Sequence, residues 1–133
     1  MKSLIDEMAF ATKQEIEEII EKIKQDIEEE KLIILVEGKK DKAALEHLGL
    51  KKIIILNGKD IWNRLEALSE EHKGKEILIF TDFDKEGKKL YGKITKDLER
   101  LGMRINKQYR EFFQKKTKVS HVEGMMTYVE KLP

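Results

Sequence analysis

The chain has 133 residues, of which 40% are charged and 40% hydrophobic, and its formal net charge is +1. That length fits about one domain with its own hydrophobic core, and the absence of cysteine excludes disulfide scaffolds, cysteine-ligated zinc modules and thiol catalysis. No stretch approaches the roughly 18 apolar residues of a membrane span, and no apolar run typical of a signal peptide begins the chain, so we expect a cytoplasmic protein without a membrane partner.

An amphipathic helix is predicted over residues 12–30, where isoleucines recur at helical spacing between charged residues. Thr12, followed three residues later by Glu15, matches a capping box and places the start of this helix. The apolar run over residues 32–36 does not alternate with polar residues and is too short for a buried helix. It indicates a strand that is covered on both faces.

The same pairing of helix and strand repeats along the rest of the chain. Further strands are predicted over residues 53–56 and 77–80, with a short fourth strand over residues 103–105. Further helices are predicted over residues 40–48, 60–72, 87–101, 107–115 and 121–132. Strands that alternate with helices at this spacing indicate crossover βαβ units. We therefore expect an α/β fold with a mostly parallel central sheet of about four strands and helices on both faces.

The near-zero net charge hides an uneven distribution along the chain. Residues 1–30 carry four Lys against ten acidic residues, a net of −6, whereas residues 85–118 carry twelve Lys and Arg against four acidic residues, a net of +8. The remaining blocks are nearly neutral. A basic half predicts a surface that faces a polyanion, and the alternative is that these charges simply solvate helix faces.

Carboxylates follow the first and third predicted strands at the points where those strands end. Glu37 comes directly after the first strand, and Asp82 and Asp84 come after the third. Because ligands of open α/β sheets bind at the carboxyl ends of the strands, we expect these three side chains to converge. Clustered carboxylates repel one another unless a cation neutralises them, and oxygen ligands favour Mg²⁺ or Mn²⁺. The sequence therefore predicts a magnesium site.

The spacing around the aspartate pair also predicts local geometry. In a continuing strand Asp82 and Asp84 would share one face, with the ring of Phe83 packed beneath. Gly87 would let the backbone turn tightly into the next helix, whose N-terminal amides could hold a phosphate.

For several residues near the two motifs, the sequence allows either a role in the metal site or a role in local backbone structure. Asp41 could lie around the metal site, but its position favours a cap or first-turn acid of the second helix. Gly38 and Gly87 could also border the site, and we interpret both as required for backbone geometry. Asn57 ends the second strand at the same edge, where a plain turn is favoured over a substrate contact.

Taken alone, the D-x-D-x-x-G pattern is a weak signal. An EF-hand loop would need Glu where Lys93 stands, and a haloacid-dehalogenase-type phosphatase would place the pattern after the first strand. The combination of Val36-Glu37-Gly38-Lys39-Lys40-Asp41 with Thr81-Asp82-Phe83-Asp84-Lys85-Glu86-Gly87 is more specific. It resembles the Toprim family, the catalytic module shared by bacterial primases, type IA and type II topoisomerases and several nucleases.

The resemblance covers residues 30–120. Within the family, the chain is most similar to small stand-alone Toprim proteins and to the Toprim part of ribosomal-RNA maturation nucleases. It implies a Rossmann-like Toprim fold. The chain would then comprise an N-terminal amphipathic helix over 1–30, a catalytic, metal-binding domain over 31–120 and a closing helix over 121–133, in one compact domain overall.

The resemblance also implies roles for the carboxylates. Glu37 would act as a general acid/base or a metal ligand, and Asp82 and Asp84 would bind Mg²⁺ or Mn²⁺. Phe83 stands where the family commonly has Pro, Gly or a small residue, a difference that bears on substrate fit more than on metal binding.

Lysines flank both motifs and could contact the phosphates of a nucleic acid, with a solvated surface as the alternative. Away from the motifs, Trp62 is interpreted as partly buried in preference to a base-stacking surface, and His121 as structural in preference to a substrate contact. The flanking lysines are Lys39, Lys40, Lys85, Lys88 and Lys89.

These observations predict a Mg²⁺-dependent nuclease of RNA or DNA. A complete topoisomerase would need a nucleophilic tyrosine from a separate domain, and a primase would need further domains, so neither is expected. One alternative is a nucleic-acid-binding or accessory module that relies on a protein partner for catalysis. A phosphotransferase acting on small metabolites is less favoured, because no G-x-x-x-x-G-K-[ST] loop is present. RNA versus DNA and the oligomeric state are left open.

Overall fold

A computed structural model describes residues 9–133 of the chain. Each predicted helix and strand is present with its ends shifted by at most a few residues, except that the last helix is preceded by a short 3₁₀ turn over Val122–Gly124. Residues 1–8 of the predicted N-terminal segment lie outside the described residues. The helices are α1 (Lys13–Glu28), α2 (Lys39–His47), α3 (Ile61–Glu71), α4 (Lys85–Arg100), α5 (Gln108–Lys116) and α6 (Met125–Lys131). The strands are β1 (Leu32–Val36), β2 (Ile53–Ile55), β3 (Glu76–Phe80) and β4 (Arg104–Ile105).

The four strands form one sheet in the order β2-β1-β3-β4, and every neighbouring pair is parallel. The expected α/β fold is confirmed. Val36 at the end of β1 is in register with Phe80 at the end of β3 and with Ile55 at the end of β2. The residues that follow these three strands therefore emerge at the same edge of the sheet.

Helices cover both faces of the sheet, as predicted. On one face α1, α2, α5 and α6 pack on alternate residues of β1 and β3, among them Ile34 and Leu78. On the other face α3 and α4 pack on the intervening residues, among them Leu35 and Ile79. This double coverage explains why the central strands are apolar without alternation.

Helix α1 begins with the predicted capping box and joins the core of the sheet. The Thr12 hydroxyl accepts a hydrogen bond from the Glu15 amide at 3.1 Å, and the Glu15 carboxylate accepts one from the Thr12 amide at 3.0 Å. At the other end of the helix, the Tyr109 hydroxyl donates to the Asp26 carboxylate at 2.5 Å. Helix α1 thus packs in the same apolar core as β1 and α5. The division of the chain at residues 30 and 120 stays a prediction.

Across residues 9–133, none of the helices combines the length and the apolar character required to cross a membrane. The cytoplasmic location stays a prediction.

Candidate metal centre

Glu37 and Asp82 meet where the two central strands end. One carboxylate oxygen of Glu37, Oε2, accepts a hydrogen bond from the Asp82 amide at 3.3 Å, although 45 residues separate the two positions. The Asn57 amide donates to the Glu37 carbonyl at 3.1 Å, which continues the same edge beyond β2. The parallel register of β1 and β3 is the cause of this meeting, as the strand-end argument expects.

The aspartate pair does not continue the strand, so that prediction is wrong. Strand β3 ends at Phe80, and Asp84 is the N-cap residue of α4, where its Oδ1 accepts a hydrogen bond from the Gly87 amide at 2.8 Å. The chain leaves the sheet here to start a helix. Asp82 and Asp84 nevertheless stay close, because ligand atoms of Asp82, Asp84 and His121 all lie within 4.8 Å of one another.

The N-terminus of α4 is capped by the Asp84 side chain. The Gly87 amide, which could have bound a phosphate, is already bonded to the Asp84 carboxylate. Gly87 itself is required for a close approach: a Cβ at this position would lie 2.0 Å from the Asp82 carbonyl oxygen. The Thr81 hydroxyl also donates to the Gly87 carbonyl at 2.8 Å. Gly87 therefore lets α4 begin directly against the backbone of Asp82.

Gly38 has no such requirement, and its interpretation as a backbone-geometry residue is wrong. Its φ is −145° and ψ 178°, which is extended backbone open to any residue. A Cβ would meet only the Asp41 carboxylate, at an ordinary 3.9 Å. The Gly38 amide donates to Asp41 Oδ2 at 3.1 Å, so Asp41 is the first-turn acid that closes the start of α2.

The pKa of Asp41 is raised by burial and in part by the charges of the neighbouring carboxylates. Burial raises the pKa of its carboxyl, and the negative charges of Asp82, Glu37 and Glu123 raise it further, against the lowering effect of the Gly38 amide. Burial is the largest cause of this raised pKa, and the negative charges of the neighbouring carboxylates, which a bound cation would offset, add to it.

Phe83 belongs to the apolar core on the α5 side of the sheet, although the continuing strand on which its prediction relied is not present. Its side chain is buried, and its ring contacts Phe80 edge to face at a centroid distance of 6.4 Å. The Phe83 amide donates to the Ser120 carbonyl at 2.8 Å, which ties the C-terminal segment to the site.

His121, which the sequence indicates as structural, lies beside the aspartate pair. Its Nε2 lies 3.3 Å from Asp84 Oδ2, and its Nδ1 lies 3.0 Å from the Ser120 hydroxyl. The neighbouring Val122 amide donates to Asp82 Oδ1 at 2.8 Å across 40 residues of sequence. A lone histidine before a terminal helix carries no local signal of such a contact.

Sequence reasoning missed Arg110 on α5, which is only 2% exposed. Its guanidinium donates to three carbonyls at the end of β3: Ile79 at 3.2 Å, Thr81 at 2.6 Å and Asp82 at 2.9 Å. Burial lowers its pKa to about 10, so the group is a buried cation at neutral pH. The available signal was its helical spacing from Phe113, which places Arg110 on the buried face of α5.

The predicted nucleic-acid contacts lie on the surface near this edge. The five flanking lysines and Asn57 are exposed, and no carboxylate of residues 9–133 lies within 4.0 Å of any of these lysine ammonium groups. Trp62 is 43% exposed near the start of α3, more open than the partial burial expected from sequence. Whether these residues touch a nucleic acid stays a prediction.

The donor set fits a divalent metal. Asp82 and Asp84 each have one oxygen held by a backbone amide, from Val122 and Gly87 respectively, so the orientation of each carboxylate is defined. The other oxygens and the His121 imidazole can serve as ligands. Carboxylates and imidazole are ordinary ligands of divalent ions in proteins.

Comparisons with known proteins add a family to this geometry. A family model described as Toprim domain matches residues 31–108. A UPF0292 protein of Methanocaldococcus jannaschii is 31% identical over 116 residues, 86% of this chain and 89% of that protein. A UPF0292 protein of Methanosarcina barkeri is 32% identical over 105 residues, 75% of this chain and 71% of that protein.

A solved structure of a protein from Aquifex aeolicus is similar in fold, with a TM-score of 0.67 and 30% identity, covering 80% of this chain and 94% of that chain. The family match includes Glu37, Asp82 and Asp84, and it ends before the segment that carries His121.

Proposed function

The chain belongs to the Toprim domain family, and from that premise we propose that it hydrolyses phosphodiester bonds of RNA or DNA with a bound Mg²⁺ or Mn²⁺. The observation that carries this proposal is that the Glu37 carboxylate accepts from the Asp82 amide while ligand atoms of Asp82 and Asp84 lie within 4.8 Å of one another. The family supports a metal-dependent function related to nucleic acid, and the proposal adds the reaction.

Asp82 and Asp84 would hold the metal. Their carboxylates are fixed by the amides of Val122 and Gly87, and buried Arg110 holds the Asp82 carbonyl, so little ordering remains when an ion binds. When bound, the metal would stabilise negative charge on the phosphate and make a coordinated water more acidic.

Glu37 would move the proton. Its Oε2 is held by the Asp82 amide, so the carboxyl lies beside the backbone of one proposed metal ligand. In hydrolysis, water attacks phosphorus, the bond to the leaving oxygen breaks, and the leaving oxygen gains a proton. A carboxyl at the position of Glu37 can accept the proton of the water or deliver one to the leaving oxygen.

The surroundings suit a polyanionic substrate. Lys39 and Lys40 begin α2 and Lys85, Lys88 and Lys89 begin α4, and both helices start at the edge that carries the carboxylates. Exposed ammonium groups at this edge would attract the phosphate backbone. The acidic metal site would then be surrounded by basic side chains.

The test is incubation of the purified protein with structured RNA, single-stranded DNA and duplex DNA in Mg²⁺ or Mn²⁺. We expect cleavage of at least one substrate, abolished by chelation, and a decrease of roughly 10²- to 10⁴-fold in Glu37→Gln. Glu46→Gln is the matched control, because Glu46 is exposed in the last turn of α2, away from the strand ends.

Two results would contradict hydrolysis by this site. One is the absence of cleavage with every substrate and metal, and the other is cleavage that Glu37→Gln leaves unchanged. Salt-dependent binding without turnover would instead support the alternative of a binding or accessory module that requires a protein partner.

A further inference from the structure

The segment beyond the family match brings a nitrogen donor to the carboxylate site. We propose that His121 is a direct ligand of the metal held by Asp82 and Asp84, and that its imidazole makes the site prefer Mn²⁺ to Mg²⁺. This inference rests on the proposed function, because it concerns the same metal, and it adds both a ligand and a metal preference.

The distances suit a shared ion. His121 Nε2 lies 3.3 Å from Asp84 Oδ2, and the ligand atoms of Asp82, Asp84 and His121 lie within 4.8 Å of one another. Neighbouring ligands of an octahedral ion with bonds of about 2.1 Å are about 3 Å apart, and opposite ligands about 4 Å. Small side-chain rotations would let all three groups reach one ion.

The histidine ring is oriented from its other nitrogen. Nδ1 lies 3.0 Å from the Ser120 hydroxyl. When Nδ1 carries the proton and donates it to this oxygen, the lone pair of Nε2 faces Asp84. A hydrogen bond on the distal nitrogen is a regular feature of metal-binding histidines, because it sets the tautomer and the ring direction.

The backbone on both sides of His121 is tied to the aspartate loop. The Ser120 carbonyl accepts from the Phe83 amide at 2.8 Å, and the Val122 amide donates to Asp82 Oδ1 at 2.8 Å. The Val122 side chain is fully buried. Although the His121 side chain is 55% exposed, its position is therefore coupled to the two aspartates.

The chemistry of the ligand sets the preference. Mg²⁺ is bound almost entirely by oxygen ligands, including several retained waters, and gains little from an imidazole. Mn²⁺ also accepts carboxylate oxygen, and it binds imidazole nitrogen more strongly than Mg²⁺ does. A site with two carboxylates and one imidazole should therefore favour Mn²⁺.

The experiment measures binding and spectroscopy of the full chain and needs no substrate. Mn²⁺ and Mg²⁺ are titrated separately by calorimetry into the unsubstituted protein, His121→Ala and the control His47→Ala, which removes an exposed histidine at the end of α2. We expect His121→Ala to weaken Mn²⁺ binding about tenfold or more and Mg²⁺ binding much less, and His47→Ala to change neither.

Pulsed electron paramagnetic resonance of bound Mn²⁺ gives a direct readout. We expect a coupling to ¹⁴N of a ligating imidazole in the unsubstituted protein and in His47→Ala, and its loss in His121→Ala. The signal of the unsubstituted protein requires no variant, so the test holds even where a substitution disturbs folding.

The outcomes separate the two proposals. Mn²⁺ that binds without a ¹⁴N coupling, or that binds His121→Ala as tightly as the unsubstituted protein, would overturn the assignment of His121 and leave metal-dependent hydrolysis standing. Failure of both metals to bind the unsubstituted protein would overturn this inference together with the proposed function.

Discussion

At the scale of single residues, Gly87 is the position where an absent side chain shapes the metal site. An added Cβ would lie 2.0 Å from the Asp82 carbonyl oxygen and 2.4 Å from the carbonyl carbon. These are backbone atoms, which cannot rotate away as the end of a flexible side chain would. Any substitution must therefore separate α4 from the loop that carries both aspartates.

We expect Gly87→Ala to destabilise the protein by about 2–3 kcal/mol, because overpacking here moves backbone. Gly92→Ala is the matched control in the same helix, since an added Cβ there has no neighbour within 4 Å. It should stabilise by about 0.5–1 kcal/mol, as alanine favours a helix interior over glycine. Urea denaturation of both variants measures the difference, and equal stabilities would contradict this account.

Arg110 is a buried cation that binds the backbone carrying Asp82. Its guanidinium satisfies three carbonyls of the β3 end and lies 4.8 Å from the ring centroid of Phe83 and 4.3 Å from that of Tyr91. Hydrogen bonds from its two terminal nitrogens and the aromatic faces compensate for part of the lost hydration of the cation, while the buried Nε has no hydrogen-bond partner among the described residues. Its positive charge also offsets part of the repulsion among the carboxylates above it.

At the scale of elements, the junction of β3 and α4 uses one carboxylate for two tasks. Asp84 Oδ1 accepts from the Gly87 amide as an N-cap, while Oδ2 faces His121. The helix start therefore orients the proposed metal ligand, and the ligand stabilises the helix start.

Substitution at Asp84 can separate these tasks. Asp84→Asn keeps an oxygen for the Gly87 amide, so we expect a stability change within about 0.5 kcal/mol. Asp84→Ala removes the cap and should cost about 1 kcal/mol. Both variants should lose Mn²⁺ affinity, about tenfold or more, because the anionic ligand is gone. Calorimetric titration and thermal unfolding measure the two effects, and undiminished metal affinity in Asp84→Asn would rule out a ligand role.

At the scale of the whole molecule, the charges are not divided between two opposed faces. The acidic α1 packs on one side of the sheet and α4, which starts the basic block, packs on the other. However, α5 also belongs to the basic block and lies on the same side as α1. The basic residues near the metal site therefore come from the first turns of α4, which begins directly after Asp84, and of α2, which begins with Lys39 and Lys40.

Replacing Lys88, Lys89 and Lys93 with Gln should weaken nucleic-acid binding. If these lysines bind phosphates, the slope of log affinity against log salt should decrease by about 0.7–0.9 for each phosphate that the variant no longer neutralises. The control replaces Lys31, Lys51 and Lys52, which precede β1 and β2 at the opposite edge of the sheet. Filter binding or fluorescence anisotropy at several salt concentrations measures both slopes. An unchanged affinity in the first variant would leave these lysines as a solvated helix face.

Much of the architecture could be predicted because it depends on local patterns of apolar and polar residues. The unbroken apolar runs of β1 and β3 and the isoleucine spacing of α1 report burial directly, so these elements occur where expected. The rule that parallel strands end at one edge then brings Glu37 to Asp82 without any knowledge of side-chain packing.

Contacts that depend on how elements pack were beyond the sequence. A pattern does not state whether β3 continues past Phe80 or turns into α4, so the spacing of the aspartates suggests a strand where Asp84 in fact caps a helix. Gly38 and Gly87 look alike in sequence, yet only the approach of the Asp82 backbone makes a side chain at Gly87 impossible.

The class of fold, the three carboxylates and the edge of the sheet at which they meet follow from the amino-acid sequence alone, because periodicity and strand ends are properties of short segments. Only three-dimensional packing establishes that Arg110 supports the Asp82 backbone and that His121 faces Asp84. Arg110 and Asp82 are 28 residues apart. Such pairs are set by the docking of α5 and the C-terminal segment on the sheet, which no local pattern encodes.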